Sequence, residues 1–295
     1  MGHIPVLPSE ALEGLAVRPD GLYVDATAGL GGHTSLIARR LLTGLVVACD
    51  RDAESLELAK ANTAEWADRI RYVQARFSEL PARLGELGLM PADGLLADLG
   101  VSRYQLTDPG RGFSLMAEGP LDMRMDRTKG ETAADIVNFT AEKALADLIF
   151  QFGEERRARR IARAIVRARP IRSTQHLAQV VEQAVPRTGR LHPATQTFMA
   201  LRQVVNEEPE ELDALLQALP QLVKPGGRAV IISFMSLEDR KVKRAFQELA
   251  RQGRAKILTK HVVTPSEEEV RSNPASRSAK LRVLEMRESA GTSEG

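Results

Sequence analysis

Three carboxylates and a run of glycines carry the chemistry in this sequence. In DATAGLGGH, residues 25–33, an apolar run ends at Asp25 and a glycine-rich turn opens a helical pattern. Glycine lets the backbone pass close to a ligand and take up positive φ, which suits a nucleoside-bearing cofactor. Asp50 ends the next apolar run, 25 residues after Asp25. A carboxylate at that strand end can accept hydrogen bonds from both hydroxyls of a ribose. Asp98 ends a further run, GLLAD. Ligands of open α/β sheets sit at the carboxyl ends of the strands, so Asp98 is expected to face whatever the glycine turn holds.

Two readings of the glycine turn compete. An NAD-dependent oxidoreductase would show GxGxxG, but here the glycines fall at Gly29, Gly31 and Gly32, and Thr34 replaces the third. This wide loop suits a ligand without a pyrophosphate. At Asp98 the chemistry can be stated more sharply. An exocyclic amine conjugated to a ring is a poor nucleophile, and a fixed acceptor helps it pyramidalise and stabilises the cation that forms. Amino-group methyltransferases are similar in placing Asp or Asn here, followed by Pro-Pro-aromatic; this chain has the acid but continues Leu99-Gly100-Val101. A plain turn or cap acceptor is the other role open to Asp98. Methylation at a ring carbon such as cytosine C5 needs a thiolate. The single cysteine, Cys49, lies in an apolar run, where a small buried residue is expected. His33 and His192 are candidate general bases, with structural roles as the alternative, and no metal-ligand spacing is found.

These residues need a sheet to position them. Apolar runs at 22–28, 45–50, 69–74 and 94–100 alternate with helical patterns at 34–42 and 54–62, which predicts a parallel, doubly wound sheet. From about 103 to 192 the strand signal disappears, and helices are predicted at 141–150, 154–169 and 174–184. A helical pattern over 194–222 is read as returning to the sheet, followed by a strand at 225–234, a helix at 237–250 and two late strands. The expected domains are a discontinuous α/β domain at 1–103 and 193–288, an inserted all-helical domain at 104–192, and a flexible tail at 289–295. If 156–169 is helical, Arg156, Arg160, Arg163 and Arg167 form one stripe, with Ala158, Ile161 and Ile165 turned toward the protein. Such a stripe is either a solvated face or a contact for a polyanion.

Composition narrows the class. The 295 residues are 43% hydrophobic and 27% charged, as in a soluble globular protein, and the net charge of +2 says little about partners. One cysteine excludes an internal disulfide and a four-cysteine zinc site. No apolar run reaches the roughly 20 residues of a membrane span, and no secretory signal opens the chain. A cytoplasmic protein is expected.

The motifs together carry a resemblance. HIPVL, DATAGLGGH, DRD, RFSEL, DLGVS, RGFS, GPLDMRMD, FGEERRARRIARAI, HPAT, PGGR, SLEDR and RSAKLR follow in the order of the MraW (RsmH) family of 16S ribosomal RNA cytosine-N4 methyltransferases. The chain resembles that family over nearly its whole length. The resemblance implies a Rossmann-like S-adenosylmethionine-dependent methyltransferase sheet with an inserted helical domain. It implies methyl transfer to a cytidine N4 in the decoding region of 16S ribosomal RNA, free or in the small subunit. It also implies that S-adenosylmethionine meets Gly31, Gly32, His33, Asp50, Phe77, Asp98 and Gln105, with the amino-acid end at 31–33, the ribose at Asp50 and the adenine at Phe77. Three places depart from the family pattern: Met235 stands where histidine is expected, Arg103-Tyr104 replace Ser-Pro, and Ala275 replaces an arginine. A catalytically dead RNA-binding protein on the same fold is the alternative from another class; the intact Gly31, Asp50 and Asp98 speak against it.

Overall fold

Near-continuous burial, with successive side chains entering opposite cores, is what makes the apolar runs strands of a sheet covered on both faces. The computed structural model describes residues 5–187, 189 and 191–288. The tail expected at 289–295, and His3 and Ile4 of the first motif, lie outside them. In chain order the first unit contains α1 (Pro8–Leu15), β1 (Leu22–Asp25), α2 (Gly32–Ala38), β2 (Leu45–Asp50), α3 (Ala53–Asn62), β3 (Ile70–Gln74), α4 (Leu80–Glu86) and β4 (Ala92–Asp98). The helical segment follows with α5 (Arg103–Thr107), α6 (Ala133–Phe139), α7 (Glu142–Gly153), α8 (Ala158–Ala168), α9 (Thr174–Ala184) and α10 (Thr195–Val205). The chain then runs through α11 (Glu208–Leu222), β5 (Val223–Ser233), α12 (Ser236–Arg251), β6 (Ala255–Ile257), α13 (Glu267–Ser272) and β7 (Lys280–Met286).

Among the described residues seven strands form one sheet, in the order β3-β2-β1-β4-β5-β7-β6. The pairs among β1 to β5 are parallel, and β7 runs antiparallel to β5 and β6. This is the doubly wound, Rossmann-like sheet expected, with a reversed hairpin at one edge. Along β4, Leu95 and Ala97 enter one core with Val24, Val47, Cys49 and the α11 leucines, while Leu96 enters the other with Tyr23, Val46 and Ile37 of α2. Burying one such leucine contributes roughly 1.5–3 kcal/mol. Strand order reverses between β1 and β4, which is where a doubly wound sheet opens a crevice at its carboxyl edge. In register Asp25 lies opposite Leu96, so Asp98 ends β4 two residues beyond it.

The chain divides into 1–100 with 210–295, and 101–209. The sequence reading put the boundaries at 103/104 and 192/193 and sent 194–222 to the sheet as one pattern. That stretch is two helices, separated at Asn206-Glu207, where Glu207 takes positive φ (51°). Phe198 and Leu201 of α10 join the core of the helical unit, with Leu145, Ile149, Ile161 and Leu177. Only α11 carries its leucines to the sheet. In the helical unit the RGFS and DMRMD motifs also meet: the buried Arg111 donates from Nη2 to the carbonyls of Arg124 and Met125, each at 3.0 Å.

Candidate active site

Asp25 is fully buried and organises the end of the sheet. Its Oδ2 accepts from Thr34 Oγ1 (2.6 Å) and its Oδ1 from the Thr27 N–H (3.2 Å). Thr27 Oγ1 in turn accepts from the backbone N–H of Asp98 (2.7 Å). One chain of hydrogen bonds thus ties α2, the loop after β1 and the end of β4. Burial pushes the Asp25 carboxyl up to about 6, against the pull of its threonine partners. In the sequence Asp25 is a strand end and Thr34 stands where a third glycine would be. The signal that could have revealed their role is the D-x-T spacing, which favours a side-chain-to-backbone turn.

The glycine loop is shaped by Asp50. Its Oδ2 accepts from the Gly29 N–H (2.8 Å) and its Oδ1 from the Asp52 N–H (2.9 Å), while burial raises its carboxyl to about 6. Gly31 caps α2 at φ 86°, and a Cβ there would meet Thr63 Cγ2 at 2.6 Å. The turn therefore demands glycine at 31 for both conformation and space. Gly32 begins α2 and His33 follows, buried.

The His33 Nε2 lies 2.9 Å from the Val6 carbonyl. A carbonyl only accepts, so Nε2 carries the proton, and the ring is kept neutral because burial lowers its pKa to about 4. Nδ1 then presents a lone pair, and the group 3.7 Å from it is Asp98 Oδ2. That gap is too long for a hydrogen bond. The Asp98 side chain is 19% exposed, yet its Oδ1 is occluded and has no partner among the described residues. Burial, then the charges of Asp25 and Glu238, push the Asp98 carboxyl well above its ordinary range. Two acceptors with no donor between them among the described residues are a place for an N–H-rich group.

The remaining expected residues fall as follows. Phe77 opens a 3-10 turn, Phe77–Glu79, and packs partly buried against the core beneath the sheet. Glu211 of α11 clamps that turn, accepting from Ser78 N and Ser78 Oγ, both at 2.9 Å. Gln105 belongs to the helical unit, where it is buried and caps α5 reciprocally with Ser102: Oε1 accepts from Ser102 N (2.9 Å), and Gln105 N donates to Ser102 Oγ (3.2 Å). His192 is an acceptor for the Ala194 N–H (3.1 Å), a structural role. Met235 precedes α12, and its N–H, like that of Phe234, donates to Glu238 Oε2, at 3.0 and 3.1 Å. Cys49 is fully buried and its thiol is pushed up by that burial, which removes the thiolate that C5 chemistry requires. Among the described residues no cluster of His, Cys, Asp and Glu could hold a metal ion, and no helix is long and apolar enough to cross a membrane.

The arginine stripe is one residue shorter than its spacing predicts. α8 begins at Ala158, because Glu154 leaves α7 in a left-handed conformation (φ 52°) and Glu155 then turns the chain, accepting from Arg157 N at 2.8 Å. Arg156 lies in that turn, outside the helix, so the stripe consists of Arg160, Arg163 and Arg167. All three are exposed, while Ala158, Ile161 and Ile165 are buried as the spacing predicts. Arg163 pairs with Glu142 at 3.5 Å.

The pattern of the MraW methylase family matches residues 1–287. The chain belongs to that family. It is 67% identical over 285 residues to the ribosomal RNA small subunit methyltransferase H of Solibacter usitatus (strain Ellin6076), covering 97% of this chain and 100% of the relative. The protein of the same name from Koribacter versatilis (strain Ellin345) is 50% identical over 292 residues, covering 95% and 92%. Among solved structures, an rRNA methylase from Streptococcus thermophilus is similar over 97% of this chain and 100% of its own, with 11% identity and a TM-score of 0.47. MraW membership agrees with the motifs from DATAGLGGH to RSAKLR that the sequence displays.

Proposed function

We propose that this protein is a cytoplasmic methyltransferase that moves a methyl group from S-adenosylmethionine to the N4 amine of a cytidine in small-subunit ribosomal RNA. The observation that carries the reading is the pair of facing acceptors, His33 Nδ1 and Asp98 Oδ2, with Asp98 Oδ1 beside them lacking a partner among the described residues. An occluded acceptor without a donor costs about 1–3 kcal/mol, and a bound amine relieves that cost.

The donor set fits the cofactor. Gly31, Gly32 and His33 would hold its amino-acid end, Asp50 the ribose and Phe77 the adenine. The cofactor supplies an electrophilic methyl on a sulfonium. Asp98 accepts from the target amine, localising its lone pair and stabilising positive charge as it develops. The Asp25–Thr27–Asp98 hydrogen bonds hold that acceptor in place, so little reorganisation is needed during transfer. Arg156, Arg160, Arg163 and Arg167 supply positive charge for the RNA backbone.

Nucleoside mass spectrometry of ribosomal RNA from a deletion strain tests the reaction, with loss of N4-methylated cytidine as the expected result. Calorimetry with S-adenosylmethionine and NAD separates this reading from an oxidoreductase. Single-turnover methylation by the purified protein separates it from a dead fold.

A further inference from the structure

The helical unit leaves two phenylalanines exposed, Phe139 at 82% and Phe150 at 60%. Phe139, the last residue of α6, is 82% exposed, although Ile136 and Val137 of the same helix are buried. Its backbone is held on both sides. Asn138 Nδ2 donates to the Ile171 carbonyl (3.0 Å) and Asn138 Oδ1 accepts from the Ile171 N–H (2.7 Å). Arg169, just past α8, donates from Nε to the Val137 carbonyl (2.8 Å) and from Nη2 to the Thr140 carbonyl. Two residues further on, Glu142 pairs with Arg163. Residues 139–142 are therefore laid along the second half of α8, between Arg163 and Arg169. Arg167 stands one turn from Arg163 on the same exposed face.

A single exposed apolar side chain is ordinary on a protein surface. Phe139 differs in that its backbone is fixed and its neighbouring helix is strongly cationic: α8 carries four arginines and no acid. An exposed ring on a segment tied through its backbone to an arginine-rich helix matches an unpaired nucleotide, with the ring under the base and the cations toward its phosphates. A duplex would not use the ring, because its bases are already stacked.

We propose that Phe139 is a stacking platform for an unpaired base of the RNA, with Arg163 and Arg167 meeting the adjoining phosphates. This rests on the RNA substrate proposed above and adds that the bound stretch is single-stranded. Stacking is indifferent to salt, so this contact is separable from those of the arginines.

The test uses the full-length protein and a short single-stranded uridine-rich RNA, with binding followed by anisotropy. Phe139→Ala is expected to weaken binding by about 5- to 100-fold. The slope of affinity against salt and the affinity for S-adenosylmethionine should stay unchanged. The chain has one tryptophan, Trp66. In a Trp66→Phe background, Phe139→Trp should restore binding, and its fluorescence should be quenched by the single strand but not by a duplex of the same length. Unchanged affinity of Phe139→Ala, or an indole that the single strand does not quench, overturns the platform. So does a Phe139→Ala protein that sediments as a smaller species than wild type, since the ring would then cover a second copy of the chain. If wild type methylates small-subunit RNA and Phe139→Ala does so with an unchanged KM, the platform fails and the methyl-transfer reading stands. If wild type methylates no RNA yet binds the oligonucleotide through Phe139, the platform stands and that reading fails.

Discussion

His33 Nδ1 and Asp98 Oδ2 face each other at 3.7 Å as two acceptors, because the Val6 carbonyl has already claimed the proton on His33 Nε2. With the tautomer reversed, Nδ1 would turn an N–H toward Asp98 Oδ2, and the site would present one acceptor fewer. The polarity of the pocket thus begins with a backbone carbonyl in the N-terminal segment, far in sequence from the carboxylate it affects.

Asp98→Asn should trade stability against turnover. Burial raises the Asp98 carboxyl above its ordinary 3.8 in the folded protein. Below 3.8 both folded and unfolded forms are protonated and the group costs nothing. As pH rises toward the folded pKa, the unfolded chain ionises first and the fold loses stability, a loss complete above the folded pKa. Removing the charge should therefore raise the melting temperature of the ligand-free protein at pH 7.5, with a gain that vanishes near pH 4. Methyl transfer at saturating cofactor should fall on the order of 10²-fold or more. Wild-type single-turnover rates in the variant would remove Asp98 from the chemistry.

Asp50→Ala should weaken S-adenosylmethionine by about 1.5–3 kcal/mol, the worth of hydrogen bonds to a charged group. It should also loosen the loop, since Gly29 and Asp52 lose their acceptor. Affinity of the wild type should decline as pH falls below about 6, where the Asp50 carboxyl takes up its proton. Asp50→Asn should bind more weakly than wild type at pH 8, with less of that decline. Calorimetry across pH 5–8 decides, and equal affinities throughout would move the ribose elsewhere.

Much of this site could be read from the sequence, and what could not has a physical reason. Asp50 and Asp98 were legible because strand ends in a doubly wound sheet are marked by an acid after an apolar run. The tautomer of His33 was not, since Val6 meets it only through tertiary packing. Helix α9 begins and ends where its pattern predicts, at Thr174 and Ala184, with Ser173 as its cap. By contrast, arginine spacing of four, three and four extended the α8 stripe to Arg156, although Glu154 and Glu155 had already broken the helix. Periodicity records which side chains share a face but is blind to a left-handed residue that stops the chain. The leucines of α11 drew α10 toward the sheet for the same reason.

Gly31→Ala should damage both fold and cofactor binding. The new Cβ meets Thr63 Cγ2 at 2.6 Å on a backbone at φ 86°. Left-handed strain costs roughly 1–2 kcal/mol, and forcing a methyl into a filled space adds about 1–3 kcal/mol. Adding Thr63→Ser removes the clash and leaves the strain, so the double variant should recover part of the melting temperature. No recovery would mean that the conformation alone excludes alanine.

The arginine stripe makes a graded prediction for RNA binding. Each phosphate contact releases counterions, so losing one arginine should flatten the plot of log affinity against log salt by about one unit. Arg160 and Arg167 are exposed without an acid beside them among the described residues, whereas Arg163 is partly neutralised by Glu142. Arg160→Gln and Arg167→Gln should therefore each cost close to a full unit of slope, and Arg163→Gln less. Arg156 sits in the turn before α8, so Arg156→Gln reports whether the RNA track continues past the helix end. Glu142→Gln offers the converse: freeing Arg163 should steepen the slope and tighten binding at low salt. Replacing all four arginines by glutamine should leave S-adenosylmethionine affinity alone while weakening small-subunit RNA. A salt titration that superimposes on wild type would make the stripe a solvated face and place the RNA track on another surface.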